Sequence, residues 1–113
     1  MITSDRARDF ELRILNLVDD SACAQAENKF DKSLELALQA QKLEKRLVAF
    51  RKDNNLPEKS NLDLKYSVNF TLALAFEAKG NYSDALATYS KIVKNKQYMQ
   101  SGRLRINMVR CLL

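Results

Sequence analysis

Few side chains in this sequence could do chemistry, and their spacing does not bring them together. The chain of 113 residues contains no histidine. Imidazole-ligated metals and every mechanism that needs a histidine base are therefore excluded. Cys23 and Cys111 stand near opposite ends, with no histidine to join them as ligands. Two free, core-like cysteines fit a reducing compartment such as the cytosol. Asp19 and Asp20 could be a metal-ligand pair, but adjacent residues on a helix diverge by about 100°, and no third ligand is near in sequence. They are expected to be a solvated polar step. There is no glycine-rich phosphate loop, no Cys-x-x-Cys and no nucleophile elbow. The carboxylates are scattered along polar stretches, without the apolar background that tunes one for acid–base work. Tyr66, Tyr82, Tyr89 and Tyr98 could form a stacking surface, but their helical spacing makes them core fillers first. The expectation is a protein that is not an enzyme and takes no cofactor or metal.

Charge gives the second lead. The formal net charge is +5, unevenly spread. From Ala85 to Leu113 there is no acid, while Lys91, Lys94, Lys96, Arg103, Arg105 and Arg110 are basic. Such a stretch can meet an acidic partner surface or nucleic acid. It can equally be a solvated helix face whose acidic neighbours lie elsewhere in a larger assembly. No aromatics interleave with the bases as a nucleic-acid platform requires, so no nucleic-acid partner is expected.

The elements that must position these residues are helices. Charged residues make up 29% of the chain and it has only two glycines and one proline, which favours an all-α fold over a sandwich or barrel. No apolar run reaches the roughly 18 residues of a membrane span. The opening MITSDRARDF lacks the apolar segment of a secretory signal. The clearest unit is Tyr66–Gln97, two amphipathic helices joined at Gly80. Leu72, Ala73 and Phe76 share a face before the joint; Tyr82, Ala85, Tyr89 and Ile92 share one after it. Small residues let two helix backbones approach, so Ala73 and Ala85 are expected at the crossing, with the aromatics filling the space around it. Gly80 accepts the left-handed conformation that ends a helix. Asn81 can cap the next, with Asp84 in its first turn.

A first pair precedes it. Ser4 or Asp5 can cap a helix running to Glu27, with Phe10, Ile14, Leu17 and Val18 on one face. Asp19–Ser21 interrupt that face and Ala22, Cys23, Ala24 and Ala26 resume it. After a turn at Asn28–Lys29, a helix from Phe30 to about Arg51 buries Leu34, Ala37, Leu38, Ala40 or Gln41, Leu47 and Phe50. Lys42, Glu44, Lys45 and Arg46 mark its solvated side. Phe30, Ser33 and Ala37 fall where Tyr82, Ala85 and Tyr89 fall in the later unit. Pro57 and its polar neighbours break the chain over Asp53–Asn61. Asn61 or Asp63 can cap the third helix, which ends at Lys79; the fourth runs from Tyr82 to about Lys94. Gly102 onward reads as helix again.

The Tyr66–Gln97 pattern resembles a tetratricopeptide (TPR) repeat, a helix–turn–helix unit of about 34 residues. The expected organisation is a degenerate pair over 1–52, a loop over 53–61, a repeat over 62–97 and the first helix of an incomplete third repeat over 98–113. The whole is a TPR-like α-solenoid fragment of about two and a half repeats. In such a stack the first helix of each pair lines a concave groove. The residues placed there are Ser67, Phe70, Leu74, Glu77 and Ala78, with Arg103 and Ile106 from the last helix. Phe70 and Leu74 can equally pack against a neighbouring helix. They also stand where the lysine and asparagine of a peptide-carboxylate clamp would be.

A sharper resemblance runs through three segments in order. SACAQAENKFDKSLELALQAQKLEKR (Ser21–Arg46), NLDLKYSVNFTLALAFEAKGNYSDALATYSKIVKNKQY (Asn61–Tyr98) and SGRLRINM (Ser101–Met108) resemble consecutive stretches of the large TPR subunit of intraflagellar transport complex B, the polaris family. The NLDL-x-YSV opening and IVKNKQY close are more specific than the general repeat pattern. After INM the family continues with a Gly-Asn-Ile-Tyr type sequence, whereas this chain reads VRCLL, as a cut-short slice would. The resemblance implies a non-catalytic scaffold for cilium assembly and cargo transport, bound to other complex B subunits and indirectly to kinesin and dynein. It implies a location in the cilium, basal body and cytoplasm. A free-standing TPR adaptor for a peptide or chaperone partner, and a non-functional fragment too short for a stable solenoid, are the alternatives.

Overall fold

The computed structural model describes residues 2–56 and 62–93. Four helices follow in order: α1 (Ile2–Ala26), α2 (Phe30–Asp53), α3 (Leu62–Ala78) and α4 (Tyr82–Val93). The fold is all-α, with α1 against α2 and α3 against α4 as adjacent antiparallel pairs. The pairs are joined through α2 on α3 and α1 on α3, as in a TPR-like fragment. The break around Pro57, the Asn61 cap and the expected helix from Gly102 lie outside the described residues.

Spacing explains the first pair. The buried residues of α2 are Ser33, Ala37, Ala40, Glu44, Leu47 and Arg51, alternating steps of four and three. That is the seam of two helices packed nearly in line. On α1 the matching row is Ala7, Ile14, Ser21 and Ala24, with Phe10 and Leu17 half-buried between them. α1 is one unbroken helix from Ile2, ahead of the expected cap at Ser4 or Asp5. Asp19–Ser21 do not interrupt it: the two aspartates are exposed, and Ser21 turns onto the seam and is buried. Ala22, Cys23 and Ala26, expected on the resumed face, are exposed because they fall off that row. Leu38 is 37% exposed for the same reason, standing one residue past Ala37. Glu44, expected on the solvated side, is on the seam and 5% exposed.

Four seam positions are polar, Ser21, Ser33, Glu44 and Arg51, and all but Glu44 find partners. Ser21 and Ser33 meet where α1 crosses α2. The Ser21 hydroxyl donates to the Ser33 carbonyl at 2.8 Å, and the Ser33 hydroxyl donates to the Ser21 carbonyl at 2.9 Å. The Arg51 guanidinium pairs with the Glu11 carboxylate. Each hydroxyl donates to a backbone carbonyl that stays in place when the other side chain is removed, so each substitution loses its own bond and the shared hydroxyl contact at 3.1 Å. Ser21→Ala is expected to cost about 0.5–1.5 kcal/mol, and Ser21→Ala/Ser33→Ala close to the sum of the two singles. Urea denaturation of all three variants checks it.

The second pair repeats the first at an interval of 52 residues. Ala73 and Ala85 occupy the positions of Ser21 and Ser33; both are fully buried in one cluster with Phe70, Tyr89 and Ile92. The turns repeat as well. Asn28 (φ 63°) and Gly80 (φ 81°) hold the left-handed position. Beyond them Lys29 N–H donates to the Ala24 carbonyl and Asn81 N–H to the Phe76 carbonyl, at 2.8 and 2.9 Å. Asn55 (φ 55°) closes α2 in the same way, Leu56 N–H donating to the Arg51 carbonyl. All three described helix ends thus close by Schellman bonding. α3 is apolar on two sides because it is covered on two sides: Leu64, Val68, Leu72 and Ala75 pack toward the first pair, Phe70 and Ala73 toward α4.

Candidate functional site

Among the described residues no three His, Cys, Asp or Glu side chains gather where they could hold a metal ion. The surfaces left for function are faces of the helix pairs. The first is the expected groove face of α3. Ser67, Leu74, Glu77 and Ala78 are all half-buried. Phe70 differs: it is 8% exposed, its ring stacked on Tyr66 at 5.6 Å and meeting Tyr89 edge-on at 5.8 Å. It is a core residue of the second pair rather than groove lining, because Ala73 and Ala85 bring the helices close enough for its ring to reach Tyr89. Leu74 packs against the same cluster. The Tyr89 hydroxyl donates to Glu77 Oε1 at 3.1 Å, which ties that carboxylate to α4. Arg103 and Ile106 lie outside the described residues.

Of the residues expected to define the repeat, Leu72, Ala73, Ala85, Tyr89 and Ile92 are buried and Phe76 is half-buried. Gly80 takes the left-handed turn conformation. Tyr82 departs from the expectation and is 51% exposed. It opens α4 beyond Ala78, the last residue of α3, so among the described residues no partner helix runs alongside its ring.

The second surface was not foreseen. On the other side of α3, between α2 and α4, lies a cleft of about 370 Å³ lined by Gln41, Glu44, Lys45, Val48, Lys65, Asn69 and Lys91. Lys65 and Asn69 are one turn apart on α3 and half a turn around it from Leu74, at 3.6 residues per turn. The Glu44 carboxyl lies beneath, and its Oε2 has no hydrogen-bond partner. Burial raises its pKa above the ordinary 4.5, against the pull of Lys65 and Lys45. A glutamate was assigned to the solvent side by type alone; the three- and four-residue steps of the seam were the signal that placed it inside.

No protein-family model matches the chain. It is 38% identical over 104 residues to the intraflagellar transport protein 88 homolog of Homo sapiens. The match covers 92% of this chain and 13% of that protein. The chain is thus similar to one segment of a much longer relative. Among the described residues no helix is long and apolar enough to cross a membrane.

Proposed function

We propose that this segment, homologous to part of an intraflagellar transport protein, is a non-catalytic TPR scaffold element serving cilium assembly and ciliary cargo transport. The observation that carries the reading is a 38% identity that extends over 92% of the chain, more than a shared helix-pair pattern alone requires. The packed helix pairs support it, since such pairs present surfaces and perform no chemistry. Its partners are other subunits of complex B and, through them, kinesin and dynein; its place is the cilium, the basal body and the cytoplasm. The contact face is the exposed part of the α3 groove, Ser67, Leu74, Glu77 and Ala78, continued by Arg103 and Ile106.

Affinity capture from ciliated cells, with the tagged 113-residue chain as bait, tests it. Recovery of complex B subunits is expected. Ser67→Arg and Ala78→Arg, which place a long cation on the groove face, are expected to reduce that recovery severalfold without changing the thermal melt. Recovery of chaperones alone would overturn the assignment in favour of a free-standing adaptor.

A further inference from the structure

The cleft between α2, α3 and α4 plays no part in that reading, and its chemistry points elsewhere. Three helices each contribute one exposed lysine to its rim: Lys45 from α2, Lys65 from α3 and Lys91 from α4. None of the three has an acidic partner among the ion pairs of the described residues. Among the described residues that line the cleft the one acidic side chain, Glu44, is 5% exposed and sits below the rim, its unpartnered oxygen out of reach of a docking molecule. What a visitor meets is therefore an apolar floor at Val48 and three ammonium groups converging from three directions. We propose that this cleft docks an acidic segment of a partner protein, whose carboxylates pair with Lys45, Lys65 and Lys91.

Charge complementarity selects that occupant. The chain's own residues 94–113 carry five bases and no acid, so they are the wrong sign to fill it. A nucleic acid would also bring negative charge, but the described residues of the lining include no aromatic ring on which a base could stack. An acidic segment carrying one apolar residue for Val48 satisfies the rim and the floor together. The Asn69 amide, also at the lining, adds a donor and an acceptor for backbone groups of an extended or helical segment.

The test uses the full chain and a fluorescein-labelled 12-residue peptide of alternating glutamate and alanine. A glutamine-for-glutamate counterpart and a single-stranded 12-mer DNA serve as alternatives. Fluorescence anisotropy is read at low salt, where screening extends over roughly 10 Å or more. The glutamate peptide is expected to bind and the glutamine peptide to bind at least tenfold more weakly. Lys65→Glu and Lys91→Glu are each expected to weaken binding about fivefold, the upper range for one exposed ion pair. Lys32→Glu makes the same change in net charge at the start of α2, away from the cleft, and is expected to change it less than twofold. Glu44→Gln removes the opposing charge and is expected to tighten binding about twofold or more, an effect that a loss of folding could not mimic. Circular dichroism melts check that the lysine variants remain folded. No binding of the glutamate peptide, equal weakening by Lys32→Glu, or tighter binding of the DNA than of the peptide would each overturn the proposal.

Discussion

Tyr89→Ala is expected to lower the melting midpoint of the chain by about 15 °C. Among the described residues Tyr89 is the largest side chain that is completely buried. Its ring fills the space between α3 and α4, edge-on to Phe70, beside the close approach at Ala73 and Ala85. Truncating a buried aromatic to alanine costs about 3–5 kcal/mol, a large part of the roughly 5–15 kcal/mol that holds a domain together. At this chain length that corresponds to a fall in melting midpoint of about 15 °C. No relaxation can close the gap, because Ala73 and Ala85 already bring the helices into near contact. Tyr89→Phe separates packing from hydrogen bonding. It keeps the ring and loses only the 3.1 Å bond to Glu77, so it is expected to cost about 0.5–1.5 kcal/mol. Thermal and urea denaturation followed at 222 nm measure both. A Tyr89→Ala protein melting within a few degrees of the parent would mean that the ring does not carry the pair.

The second large effect concerns the far end of the first pair. Arg51 is 3% exposed, its charge is met by Glu11, and its Nη1 has no hydrogen-bond partner. Burial already pushes its pKa down, though a guanidinium stays protonated throughout the working range. Glu11→Ala leaves that cation buried without a counter-charge. The expected cost is about 2–4 kcal/mol, slightly below the range for a fully enclosed pair, because the Glu11 side chain keeps 34% of its exposure. Arg51→Met removes the charge instead and fills the seam with a flexible apolar chain; it is expected to be neutral or stabilising. The informative variant is the double one. Glu11→Ala/Arg51→Met is expected to be more stable than Glu11→Ala alone, so that a second mutation repairs the first. Denaturation midpoints in urea check the order. If the double variant is the less stable, the pair contributes net stability rather than offsetting its own desolvation.

How much was legible in the sequence follows from how each residue announces itself. The α3–α4 pair was readable because Gly80 marks the turn, and Ala73, Ala85, Tyr89 and Ile92 are of apolar types that place themselves. Asn28–Lys29 was readable as a turn for a similar reason, asparagine being at ease in the left-handed region. The first pair was read less well because its seam is partly polar. Ser33 is legible only through its correspondence with Ala85, and Glu44 and Arg51 do not announce themselves by type, although their spacing puts them in line with Ala37, Ala40 and Leu47. Leu38, conversely, was taken as buried because it is a leucine. On the candidate surfaces, Phe70 could not be told from groove lining, because an apolar residue on α3 faces either a groove or α4, and only the packing decides. The lysine-rimmed cleft was invisible because Lys45, Lys65 and Lys91 are unremarkable singly and meet only when three helices assemble.

The length of α2 carries one more consequence. α2 has 24 residues, and its last turns hold Leu47 and Arg51 against α1. One residue inserted or deleted after Glu44 would swing both by about 100°, turning Leu47 toward water and carrying Arg51 away from Glu11. Two whole turns, about seven residues, are the smallest change that brings them back into line. The span of this helix is therefore quantised: viable versions of the chain should differ there by heptads, matched in α1, and never by single residues.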